Sequence, residues 1–468
     1  MEYDDFGLDN SDELNSYIDR FEDMLEKDDQ YYFDNDIFDE LIEHYIQNKN
    51  IQRALTVIKF ARQQHPYESS FMLKEAQLLA SCYRYKRALE ILNKLEAIEP
   101  WNDQVYFSKG TIYAKLKDSK KALHYYEKAL DLSDEKDEIY LCIAVEFQNL
   151  ENFDQAILYY KLALKENPGN EMALYEIMYC FDCMGNTEAC IEFHKDFLDD
   201  NPYSETAWYN LGNCFCALDM YEKAIEAFDF CIAILPEFAS AYFNKANALY
   251  QIDEYKAAIE VYQETFSYED PDAMTYAYIG ECYERLDDTE MAFAYYNKAI
   301  EIDDTNSDAW IGKAVILTQQ DKLKEAFNCA QKALDLNNLR AEYWKIFGEI
   351  EEKMGNIDDA LFSFRKMVDI SPEDQDNWLD LADYYHRNNR INEAIEIMDE
   401  ALLLLPDHSK LIYRLAALHQ LRGNQQSAKE YFIQGLILNH EEHKEFFNFL
   451  PFSKSNSNFV ELVEMYKK

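Results

Sequence analysis

The residues best able to do chemistry in this chain are its sulfur and imidazole donors. Cys180 and Cys183 are spaced C-x-x-C, and Cys190, Cys214 and Cys216 follow. Two thiols at that spacing suit a zinc site or a dithiol redox pair. His440 and His443, with Glu441 and Glu442 between them, could present two imidazoles on one helical face, but the sequence shows no further ligand cluster beside them. The 90 acidic residues could supply a general acid and base, yet their spacing implies no cleft, and charge is the ordinary covering of a helical surface. Neither a G-x-x-x-x-G-K-S/T loop nor a G-x-G-x-x-G turn occurs, so nucleotide chemistry has no support.

The elements that would position such groups follow from composition and period. With 48% hydrophobic and 15% aromatic residues, and only 11 Gly and 9 Pro in 468, the chain reads as folded and mostly helical, not as disordered or turn-rich β structure. A net charge of −45 opposes phosphate backbones and anionic membranes, so nucleic acid and membrane are not expected partners. The first ten residues lack the basic and apolar regions of a secretory leader, and no run of about 18 apolar residues occurs. The expectation is a cytoplasmic protein whose ten cysteines are reduced.

The chain repeats every 34 residues. Counting units from Asn35, the twentieth place is alanine in eleven of twelve units, with Cys190 the exception. The eighth place is Gly or Ala in ten of twelve, Ile42 and Met178 departing. Seven of nine prolines fall on the thirty-second place and four of five tryptophans on the fourth, as Trp208, Trp310, Trp344 and Trp378. Each unit reads as two short amphipathic helices. In residues 205–238, Trp208, Leu211 and Phe215 recur at helical spacing beside Gly212, and a second stripe, Tyr221, Ala224, Ile225, Phe228, Cys231 and Ile232, stops before Pro236. One such pair cannot bury its apolar face alone, so the units must stack. In that register Cys180, Cys214 and Cys282 share the tenth place and Cys190 replaces an alanine, so the cysteines read as small core residues with no metal and no cofactor.

Segments such as Ala207–Pro236 and Ala309–Asn337 carry this large/small pattern with few departures, and here the chain resembles the tetratricopeptide-repeat family. The resemblance implies an all-α, right-handed superhelical solenoid of antiparallel helix pairs. Twelve units are expected: 35–68, 69–102, 103–136, 137–170, 171–204, 205–238, 239–272, 273–306, 307–340, 341–374, 375–408 and 409–442. Residues 1–34 form an acidic segment with a capping helix, Ser11 to Lys27, and residues 443–468 form C-terminal capping helices. No catalytic domain fits in these ends, so the expected function is that of a non-enzymatic scaffold.

The resemblance further implies that first helices line a concave groove. Its expected lining is Phe107, Leu141, Val145, Met172, Tyr175, Tyr179, Tyr209, Phe243, Met274 and Tyr278, with an amide ladder of Asn210, Asn213, Asn244 and Asn247 suited to the backbone of an extended peptide. The family's carboxylate clamp is matched only at Asn213 and Asn244, because Tyr209, Met274 and Tyr278 stand where basic residues would be needed. The expected partner is another protein presenting a peptide or helix. Asp36, Asp39, Glu40 and Glu43 would steer a basic segment toward the N-terminal end. Self-association as a subunit of a larger assembly is the alternative.

Overall fold

The computed structural model describes residues 9–27, 31–455 and 457–467, and these form helices joined by short turns, with no strand among the described residues. The chain divides into two compact units, Met1–Pro236 and Glu237–Lys468. Each is a row of antiparallel helix pairs, so the fold is an all-α repeat solenoid.

In the first unit a helix at Asp9–Lys27 precedes six pairs, beginning with Asn35–Gln47 and Ile51–Gln64 and ending with Glu205–Ala217 and Tyr221–Ile234. Six more pairs make the second unit, from Ala239–Gln251 and Tyr255–Glu264 to Ser409–Leu421 and Gln425–Leu438. A short helix at Lys444–Phe449 and another at Ser457–Met465 follow.

One device turns the chain within every pair. A residue with φ between 55° and 86° follows each first helix: Lys49, Tyr83, Lys117, Glu151, Gly185, Asp219, Asp253, Asp287, Asp321, Gly355, Asn389 and Gly423. A left-handed residue there lets the backbone N–H groups fold back onto the last carbonyls of the helix, as when Asn186 N–H donates to Phe181 O at 3.0 Å. Asn186 then accepts from the Ala189 N–H at 3.3 Å and so caps the second helix. Gly-Asn marks this turn in sequence at Gly185, Gly355 and Gly423, but nine units place a non-glycine residue in the same conformation.

Close packing explains the small residues. A β-carbon built on Gly212 would lie 2.5 Å from the Phe228 ring, and one built on Gly110 would lie 2.5 Å from Tyr126, so each glycine lets the second helix seat an aromatic on its backbone. All eleven alanines of the twentieth place have no exposed surface. The tryptophans tie one pair to the turn before it: the indole N–H of Trp208 donates to Pro202 O at 2.9 Å and that of Trp378 to Pro372 O at 2.8 Å. At the chain's ends, Phe21 and Met24 of the first helix are buried with Phe33 and Tyr45, while Phe446, Leu450, Phe459 and Leu462 are buried around Phe432.

Candidate functional site

The expected lining residues lie on the first helices of both units. In the first unit, Phe107 sits on Asp103–Lys115, and Leu141 and Val145 sit on Asp137–Asn149. Met172, Tyr175 and Tyr179 lie on Glu171–Cys183, and Tyr209, Asn210 and Asn213 on Glu205–Ala217. Met172 and Tyr179 are each 52% exposed, and Phe107, Leu141, Val145, Tyr175, Tyr209 and Asn213 are half-buried. Asn210 departs from expectation. Its side chain is completely buried, and neither its amide nitrogen nor its oxygen has a hydrogen-bond partner, so it does not present an amide to a peptide. The sixth place of this unit points between helices, which the repeat register alone did not reveal.

In the second unit, Phe243, Asn244 and Asn247 lie on Ala239–Gln251, and Met274 and Tyr278 on Ala273–Arg285. Tyr278 stacks on Tyr262 at 5.9 Å and meets Phe243 edge-on at 5.7 Å, so part of this aromatic surface holds neighbouring pairs together. Asn247 accepts a hydrogen bond from the buried Tyr262 hydroxyl, which commits its oxygen to the fold. Met274 remains 48% exposed. With Tyr278 it walls a cavity of about 170 Å³ between Ala273–Arg285, Ser307–Gln319 and Ala341–Met354. Glu281, Glu284, Asp308 and Glu342 line it against two cations, Arg285 and Arg340. Arg340 pairs with Asp308, which also accepts from the Tyr343 hydroxyl at 2.8 Å. Burial raises the Glu284 carboxyl above its ordinary range although Tyr296 donates to it at 2.9 Å. The cavity therefore combines apolar side chains with a surplus of carboxylates.

Toward the ends, the mixed charges of the first helices pair with one another. Lys74 meets Asp39 at 2.7 Å, Lys345 meets Asp380 at 2.7 Å, and Arg414 bonds Asp383.

The candidate ligand groups sort differently from their spacing. Cys180 is buried, with its thiol pushed up to about 12 by burial, whereas Cys183 is exposed. The imidazoles of His440 and His443 hydrogen-bond the backbone oxygens of Val463 at 2.9 Å and His440 at 2.6 Å, which fastens the C-terminal turn. The donors that do converge are Cys190, His194 and Cys214, all buried, with ligand atoms within 4.8 Å of one another. His194 is absent from the sequence reading. Its signal was a break in pattern: the twenty-fourth place is apolar in seven of the other eleven units and tyrosine in four, from Ile58 to Phe432.

Comparison with known proteins bears on the repeat itself. Residues 103–136, 137–170, 239–268 and 275–306 match one tetratricopeptide-repeat profile, and residues 206–238 and 353–418 match two others of the same description. The chain is a tetratricopeptide-repeat protein. Among curated proteins no sequence matches this repeat protein. Of solved structures, it is similar to the APC/C hetero-tetramer Cut9-Hcn1 at 16% identity and a TM-score of 0.43, covering 86% of this chain and 89% of that one. It is also similar to MamA, at 30% identity and a TM-score of 0.32 over 35% of this chain and 95% of that one. A third is the C-terminal part of a repeat protein from Cytophaga hutchinsonii, at 21% identity and a TM-score of 0.42 over 51% and 98%. No helix among the described residues of this tetratricopeptide-repeat protein is long and apolar enough to cross a membrane.

Proposed function

We propose that the chain is a non-enzymatic, cytoplasmic protein-interaction scaffold. Its twelve 34-residue units, residues 35–442, carry the binding surface, and residues 1–34 and 443–468 cap the ends. The partner is another protein that presents a peptide or helix to the exposed faces of the first helices. The observation that carries this reading is the second unit's cavity, where Met274 and Tyr278 stand beside four carboxylates that outnumber two guanidinium groups. Exposed apolar side chains among charged ones suit contact with another protein, and the acidic surplus suits a segment with a basic residue beside an apolar anchor. Met172 and Tyr179 offer a second exposed patch on the first unit.

The experiment is an affinity capture from source lysate with wild type and with the double variant Met274→Glu/Tyr278→Ala, both checked for equal helicity. Loss of a captured protein in the variant supports the reading. Equal capture by both would remove it, and a concentration-dependent mass by light scattering would then favour self-association.

A further inference from the structure

One unit breaks the repeat at three core places at once. In residues 171–204, Met178 stands where ten units have Gly or Ala, Cys190 where eleven have Ala, and His194 where seven have an apolar residue and four a tyrosine. The structure gathers these departures with Cys214 of the following unit. Cys190 and His194 lie one turn apart on Thr187–Asp200, and Cys214 reaches them from Glu205–Ala217, its Sγ 3.1 Å from that of Cys190. The His194 side chain has no exposed surface, and neither ring nitrogen has a hydrogen-bond partner. Leaving such a group unsatisfied is destabilising, and a phenylalanine at this place would carry no such cost. Cys190 and Cys214 also line a cavity of about 150 Å³, together with Met178, Asp182, Thr187 and Asn213.

We propose that Cys190, His194 and Cys214 bind one zinc ion, which braces the Thr187–Asp200 helix against the Glu205–Ala217 helix and keeps its fourth position open toward this cavity. Two sulfurs and one imidazole nitrogen are a zinc donor set, and sites with three protein ligands complete the metal with water or a small ligand. Charge favours zinc in a dry interior, since two thiolates and a neutral imidazole cancel its two positive charges. A univalent soft metal on the same donors would leave a buried negative charge. Each thiol gives up its proton to solvent, so two protons leave for every zinc bound. With Zn–S bonds of about 2.3 Å, tetrahedral geometry separates the sulfurs by about 3.8 Å, so the thiols must part by about 0.7 Å. Asp182, exposed beside the cavity, gives the cation a carboxylate to meet on entry.

The test uses the full, reduced, metal-free chain titrated with Co²⁺ as the spectroscopic stand-in and then with Zn²⁺. Cys190→Ala and His194→Phe restore what the other units carry at those places, so loss of binding in them is separable from loss of fold, which circular dichroism checks. The expected result is one Co²⁺ per chain, with thiolate-to-cobalt charge-transfer bands and tetrahedral d–d bands, displaced by one equivalent of Zn²⁺. Each variant should weaken binding at least about 100-fold, beyond what removing a mere supporting partner does. Cobalt bound without a thiolate band, or equally by the variants, would place the metal on surface carboxylates and overturn the proposal. So would uptake of Cu⁺ but not Zn²⁺, or a count of eight rather than ten free thiols in the chain purified without reductant, which would mark a disulfide instead.

Discussion

Phe432→Ala should detach the C-terminal helices while leaving the remote helix pairs folded. Phe432 has no exposed surface, and its ring lies 4.7 Å from Phe446, 5.0 Å from Phe459, 5.6 Å from Tyr413 and 5.9 Å from Phe447. Three of those four partners belong to the segment after residue 443, so this one side chain carries much of the contact between that segment and the last pair. Truncating a buried phenylalanine costs about 3–5 kcal/mol. In a quasi-one-dimensional fold that cost falls on nearest neighbours instead of spreading along the chain. At about 4 kcal/mol, amide-exchange protection over residues 440–465 should fall by about three decades, while helices before residue 400 keep theirs. The control is Phe452→Ala. That ring is 61% exposed, and its removal should change stability by no more than about 0.5 kcal/mol. Mass-spectrometric hydrogen exchange reads both. A loss of protection spread evenly over the second unit, or none at all, would refute the reasoning.

Other perturbations test other parts of the fold. The Lys109 side chain is fully buried, paired with Glu96 and 5.3 Å from the Tyr125 ring; Glu96→Gln should cost about 3 kcal/mol by stranding the ammonium, and Lys109→Met far less, in urea denaturation. Asn210→Leu should stabilise the chain by about 1–2 kcal/mol in the same assay, because it replaces an amide buried without partners. Glu284→Gln should raise the melting temperature at pH 7. Burial lifts this carboxyl above its unfolded value of 4.5, so the folded state binds more protons than the unfolded one between those two values and loses stability as pH rises through that window. The advantage of glutamine should therefore vanish below about pH 4.5.

The helix pairs were legible in sequence because the residues that set the period are those with the strictest steric duty. Gly110 and Gly212 lie under aromatic rings, the place-twenty alanines have no room for more, and Trp208 and Trp378 hydrogen-bond the preceding turn. The intrapair turns were legible only in part, because aspartate, lysine and even Tyr83 take the left-handed conformation when the surrounding packing enforces it. At the candidate site, helical spacing placed Met172, Tyr179, Met274 and Tyr278 on first helices but could not tell that Asn210 turns inward. The cavity at Arg285 and Arg340 depends on three successive pairs, and no single-unit pattern contains it. The gathering of Cys190, His194 and Cys214 was obscured because cysteine is a normal small core residue in this register. The histidine that distinguishes it stood at a place where only the comparison of all twelve units makes it conspicuous.

The most direct test of the proposed function is site-specific photo-crosslinking in source lysate, with a benzophenone side chain placed in turn at Tyr278, Tyr179 and Tyr67. Tyr278 and Tyr179 lie on the first-helix faces, whereas Tyr67 is 99% exposed in the turn between two pairs. A partner protein crosslinked from residues 278 and 179 and not from 67 is the predicted outcome. Crosslinks from Tyr67 alone, or only to other copies of this chain, would contradict it.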